Sequence, residues 1–279
     1  MSERLVLQGR YYRMHPPGAF LGFAEKAVEL DLVDTAVLVV DIYGPDAPSN
    51  RNYSGMVSDH SKSQSTVIIR ERIKPVLDAA RAIGLPVVYV ANSAPRVALK
   101  ESAYWEQKWD TQHVDKDDLY SEDNVDPREY HFGDSNVLKY DEFSQPHVDD
   151  YFIRKHTHSG FFDTRLDTLL RNLGVRNLIC VGFALDMCLG ATMIDALWRN
   201  YRVLLLRDCT YAVELPGIDS PGSWTSRWIT YVECAIGYTS TAAAFLDECA
   251  RLGQVGREPM TAGPGVSVEG DRSLVGKGP

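Results

Sequence analysis

The sequence predicts one α/β domain with helices on both faces of a mostly parallel central sheet, a three-layer α/β/α architecture. Three observations predict it. Short, nearly continuous apolar runs recur, as strands buried on both faces do. Segments with helical spacing of apolar residues alternate with those runs. One stretch, Asn177 to Arg207, shows strand, helix and strand in immediate succession. That is a βαβ unit of roughly thirty residues, for which a right-handed crossover is expected. Alternation of this kind belongs to layered α/β folds, not to sandwiches or bundles.

Each element follows in chain order. Residues 1–33 carry aromatic and proline punctuation (Tyr11, Tyr12, Pro16, Pro17) and are expected to form an extended arm. The domain itself is expected over 34–252. Thr35 to Asp41 reads as the first buried strand and ends in a carboxylate. A loop from Gly44 is expected to continue to Ser65. Thr66 can cap a helix running to Ile83, with Ile69, Ile73, Val76, Leu77 and Ala80 on its apolar face. Gly84 stops it, and Pro86 to Asn92 is the second strand. Residues 93–145 form a long aromatic and acidic insertion, longer than passive connections usually are. Tyr151 to Lys155 is the next strand, followed by a helix from Asp163 or Thr164 through Leu173. The βαβ unit then places strand Asn177–Phe183, a helix from Cys188, and strand Arg202–Arg207. A last helical region is expected from Ser226 to Leu252, and residues 253–279, rich in Gly and polar side chains, are expected to be a disordered tail.

Composition narrows the function classes. The 279 residues carry a net charge of −9, which argues against nucleic-acid or anionic-membrane partners. No apolar run approaches the roughly 20 residues a membrane-spanning helix needs. The opening Met-Ser-Glu-Arg has no apolar signal region, so a cytoplasmic location is expected. The five cysteines (180, 188, 209, 234 and 249) are odd in number and contain no C-x-x-C pair. Neither a disulfide framework nor a structural zinc site is expected.

Three reactive groups fall at one edge of the expected sheet. Asp41 and Lys155 end strands, and Cys188 stands in the first turn of a helix just beyond a strand's carboxyl end. Open α/β sheets bind ligands at that edge, and helix N-termini there favour negative charge. A thiolate is a nucleophile, a carboxylate can take the thiol proton and return it to a leaving amine, and an ammonium stabilises both anions. Singly, each has an ordinary reading: a turn aspartate, a solvated lysine, a small buried cysteine. Their common placement makes the catalytic reading.

The block from Lys155-His-Thr-His-Ser-Gly-Phe-Phe-Asp-Thr-Arg to Gly182-Phe-Ala-Leu-Asp-Met-Cys188 resembles the isochorismatase-like cysteine hydrolases, and within them the ureidoacrylate amidohydrolases. The resemblance spans roughly Asp34 to Leu252. It implies the isochorismatase-like hydrolase fold, a catalytic triad of Asp41, Lys155 and Cys188, and a cis peptide between Phe183 and Ala184. The N–H groups of Ala184 and Cys188 would then form an oxyanion hole. Substrate contacts are expected from Asn92, His158, Tyr43, Trp105 and Phe161. Tyr43 stands where the family often has Gln, Leu185 where it usually has Thr, and His158 where the ureidoacrylate enzymes have Tyr. Metal-dependent relatives carry Asp-x-His after the second strand. This chain has Asn92-Ser-Ala-Pro-Arg-Val there, so neither a metal nor any other cofactor is expected.

The function so implied is cleavage of a C–N bond in a small acyclic amide or ureide through a thioester or carbamoyl-enzyme intermediate. The partners expected are that small-molecule substrate and further copies of the chain, in a dimer or tetramer. Two other readings stay open at this level. One is vinyl-ether hydrolysis of isochorismatase type, which uses no cysteine nucleophile; the other is a catalytically silent binding protein. Trp105 and Trp109 could close over a substrate or serve core and subunit contacts.

Overall fold

The computed structural model describes residues 3–19, 22–43, 59–92, 103, 140, 144–214 and 220–255. Eight strands form a single sheet: β1 (Arg4–Arg13), β2 (Gly22–Asp31), β3 (Thr35–Val40), β4 (Val87–Asn92), β5 (Tyr151–Lys155), β6 (Asn177–Gly182), β7 (Arg202–Leu206) and β8 (Tyr238–Ser240). Their order across the sheet is β2-β1-β8-β7-β6-β3-β4-β5. The six strands from β8 to β5 run parallel, whereas β1 pairs antiparallel with both β2 and β8. The helices are α1 (Asp59–Ile68), which passes through a π-helical turn at Ile69–Ile73 into α2 (Lys74–Ala82), then α3 (Leu166–Asn172), α4 (Cys188–Trp198), α5 (Ser223–Ala235) and α6 (Ala242–Val255). No helix among the described residues is long and apolar enough to cross a membrane.

Strand periodicity sorts the core into two layers. Val37, Val39, Ile179, Val181, Leu204 and Leu206 point to one face, where they meet Val76 and Leu77 of α2 and Phe245 of α6. The alternate residues Ala36, Leu38, Val40, Leu178, Cys180 and Leu205 point to the other, against Leu170 of α3 and Leu189 and Met193 of α4. Both faces are covered, which is why these strands read as unbroken apolar runs.

Several expectations are corrected. Residues 4–31 are no free arm but a hairpin of two ten-residue strands that extends the sheet, burying Leu5, Leu7, Val28 and Leu30 on one face. The polar stretch before Thr66 is helical from Asp59, without the apolar stripe that would reveal it. The helix expected at Asp163 starts at Leu166: Asp163 has φ 52°, outside the helical region, and Thr164 Oγ1 accepts the Leu166 N–H instead. The long helical region from Ser226 is two helices parted by β8, a strand of three residues. The tail beyond Val255 lies outside the described residues, as does nearly all of the insertion.

The parallel strands reverse their sequential order between β3 and β6, the position at which open sheets of this kind leave a crevice beyond the carboxyl ends. Asp41 follows β3 at that point, and Gly182 ends β6 opposite Val40. Gly182 has φ +113°, and a Cβ there would lie 2.0 Å from the Val40 carbonyl oxygen. Only glycine allows the two chains to come so close.

Candidate active site

The three strand-end groups converge. Lys155, whose side chain is 0% exposed, places its Nζ 2.8 Å from Asp41 Oδ2 and donates to Cys188 Sγ at 3.2 Å. The same ammonium donates to Asn92 Oδ1 and, at 3.3 Å, to the Thr157 carbonyl. Parallel pairing puts Asn92 of β4 beside Lys155 of β5, so the last residues of two neighbouring strands meet as a pair. The other carboxylate oxygen, Asp41 Oδ1, accepts the Tyr43 hydroxyl at 2.6 Å and the Asn92 N–H at 3.2 Å.

Electrostatics assigns the charges. Burial alone would lower the Lys155 pKa, but the Asp41 carboxylate and the Cys188 sulfur outweigh it and hold the ammonium above the ordinary lysine value. The Cys188 thiol is pushed up to about 12, by burial first and by the Asp41 charge next, with Lys155 pulling in the opposite direction. The resting site therefore holds an ammonium and a neutral thiol, and Asp41 and Lys155 both engage the sulfur. The expected stabilisation of a thiolate by lysine is present but outvoted, by burial first and then by the negative charge of Asp41.

Cys188 opens α4, and the approach to it is fixed by hydrogen bonds. The Phe183–Ala184 peptide is cis. Phe183 N–H donates to Val40 O at 2.8 Å and Leu185 N–H to Tyr211 O at 2.9 Å. Asp186 accepts the Val213 N–H and the Trp224 Nε1–H, both at 2.9 Å, which ties the turn to the loop after β7 and to α5. Among the described residues, the N–H groups of Ala184 and Cys188 donate to no other described group, although those of Phe183, Leu185, Met187 and Leu189 all do.

Not every expected contact belongs to this centre. Tyr43 lies within it but turns its hydroxyl onto Asp41 and accepts the Asn92 N–H at 2.8 Å. His158 is partly buried in the segment just past Lys155. Phe161 is corrected: it is a core residue, 5% exposed, packed on Tyr201 with Arg199 over its ring, toward the far end of α4 from Cys188. Trp105 and Trp109 lie outside the described residues. Two participants went unassigned in the sequence: Tyr140, whose backbone bridges to Tyr43, and Asp186, the anchor of the turn before Cys188. Asp186 could have been suspected from its place two residues before the cysteine; Tyr140 carries no local signal. Among the described residues no three His, Cys, Asp or Glu side chains gather as a metal site.

Known proteins share this arrangement of sequence and fold. The isochorismatase domain family matches residues 54–217, a span that holds Lys155 and Cys188 and begins after Asp41. The ureidoacrylate amidohydrolase RutB of Agrobacterium fabrum is 28% identical over 218 residues, 77% of this chain and 93% of that protein. The RutB of Acinetobacter baylyi is 30% identical over 217 residues, 70% of this chain and 77% of its own. The crystal structure of a cysteine hydrolase from Pseudomonas syringae pv. phaseolicola is 25% identical with a TM-score of 0.61, covering 80% of this chain and 95% of that one.

Proposed function

Because the chain belongs to the isochorismatase family, we propose that it is a cysteine-dependent amidohydrolase that cuts a C–N bond of a small acyclic ureide or amide, as the names of its RutB relatives suggest. The observation that carries the reading is the contact of one buried ammonium with both the Asp41 carboxylate and the Cys188 sulfur.

Asp41 takes the thiol proton as Cys188 Sγ attacks the carbonyl carbon, so base and nucleophile act in one step rather than from a preformed thiolate. Lys155 keeps its proton and offsets the negative charge as it passes from Asp41 to sulfur and substrate. The Ala184 and Cys188 N–H groups receive the developing oxyanion, a contribution of about 3–4 kcal/mol per donor in other enzymes. The tetrahedral adduct collapses, the C–N bond breaks, and Asp41 returns its proton to the departing ammonia or amine. Water then adds to the thioester or carbamoyl-enzyme, giving one proton to Asp41, and the sulfur leaves to recover it. Asn92, with its Oδ1 on Lys155, stands beside the place where the substrate carbonyl must lie, and His158 follows in the segment just past Lys155.

Ammonia release across N-carbamoyl amino acids, ureidoacrylates and aliphatic amides tests the proposal, with Cys188→Ala as the control. Turnover of at least one compound is expected, together with a covalent mass adduct on Cys188 under rapid quench. Turnover by Cys188→Ala at the wild-type rate would sink the mechanism.

A further inference from the structure

We propose that Tyr43 is a positioning residue that fixes the Asp41 carboxylate in one orientation, and that it is not a contact to the substrate. The identity of the base rests on the amidohydrolase reading above.

Asp41 sits at φ 49°, a left-handed conformation that non-glycine residues seldom hold without support from their surroundings. Its carboxylate is divided atom by atom. Oδ2 faces Lys155 Nζ at 2.8 Å, whereas Oδ1 accepts the Tyr43 O–H at 2.6 Å and the Asn92 N–H at 3.2 Å. The phenol is itself held in place. Its oxygen accepts the Asn92 N–H at 2.8 Å, and the Tyr43 backbone bridges antiparallel to Tyr140. The Tyr140 ring stands edge-on to Tyr89 and Phe152, with centroids 5.4 and 5.9 Å away. A tyrosine has one proton to donate, and here Asp41 receives it. Burial and the Asp41 charge hold the Tyr43 pKa well above the usual phenol value, so the hydroxyl remains a donor at working pH.

One consequence follows for the reaction. With Oδ1 occupied by two donors, Oδ2, which faces Lys155, is the oxygen left to receive the thiol proton.

Tyr43→Phe deletes the hydroxyl and keeps the ring. Ammonia release with the best compound of the panel should lose roughly tenfold or more in kcat, the size of one hydrogen bond to a charged group, with KM nearly constant. Replacing Tyr43 with 3-fluorotyrosine, which keeps the donor, should retain the wild-type kcat. A crystal structure of the Tyr43→Phe variant should show the Asp41 carboxylate turned away from its present orientation or divided between two. A raised KM with kcat unchanged would make Tyr43 a substrate contact and overturn the proposal, as would an Asp41 carboxylate left in its single orientation in that structure. Should no compound be turned over, the hydrolase reading fails while the variant structure still decides the role of Tyr43.

Discussion

Replacing Lys155 with methionine keeps much of the stem and deletes the ammonium that touches both Asp41 and Cys188. At 3.2 Å and an effective dielectric constant near 20, a thiolate–ammonium pair is worth on the order of 5 kcal/mol, or nearly four decades of thiolate population. Relaxation and water entering the vacated space return part of that, so alkylation of Cys188 near pH 9 should slow at least about a hundredfold. Stability supplies a second readout. The folded pKa of Lys155 is raised above the ordinary lysine value of 10.5, so the stability it contributes is fully present below that value and is lost only as pH climbs through the folded pKa. Across the neutral range the wild type keeps it all. The variant leaves the Asp41 carboxylate buried without a counter-ion, a loss of about 3–5 kcal/mol. For a domain of this size that lowers Tm by roughly 6–20 °C. The assay pairs iodoacetamide labelling, followed by mass spectrometry of the Cys188 peptide, with thermal melts at neutral pH. Labelling at the wild-type rate, with an unchanged Tm, would refute the assignment of Lys155 to the site.

Two further outcomes follow from the same geometry. Gly182→Ala would drive a Cβ to within 2.0 Å of the Val40 carbonyl at a φ of +113°, so a loss above about 4 kcal/mol and little soluble protein are expected; a wild-type melting curve would contradict this. EDTA should leave ammonia release unchanged, since the proposed chemistry assigns no step to a metal; elemental analysis finding stoichiometric zinc or iron, lost together with activity, would contradict this.

The strands of the parallel sheet were legible because both of their faces are buried, which makes a short apolar run hard to read as anything else. The edge hairpin was not. Leu5, Leu7, Val28 and Leu30 alternate with exposed neighbours, so β1 and β2 carry only half of a core signal. What brings β1 onto the sheet is its antiparallel pairing at Arg10 with Thr239, more than two hundred residues away. Arg10 also donates to the Glu233 carboxylate of α5 at 2.6 Å, a side chain 0% exposed, so the hairpin is fastened by an ion pair that no local pattern announces. β8 hid for a different reason: three residues between two helices are too few to establish a period.

At the candidate site, the sequence pointed to three groups that the structure brings together but not to their charge balance. Asp41, Lys155 and Cys188 could be chosen by residue type and by position at strand ends, and a lysine near a helix-borne cysteine invited the expectation of a thiolate. Whether a thiolate forms depends on the sum of charges in one buried volume. There burial already disfavours an anion, and the single ammonium is matched by Asp41 at 2.8 Å. The thiol therefore stays protonated, near 12 in pKa, and on the proposed mechanism it gives up its proton only as it attacks a substrate carbonyl. On this account the site does not store a reactive nucleophile. It holds a base beside a latent nucleophile, and the Tyr43 hydroxyl donates to one oxygen of that base at 2.6 Å.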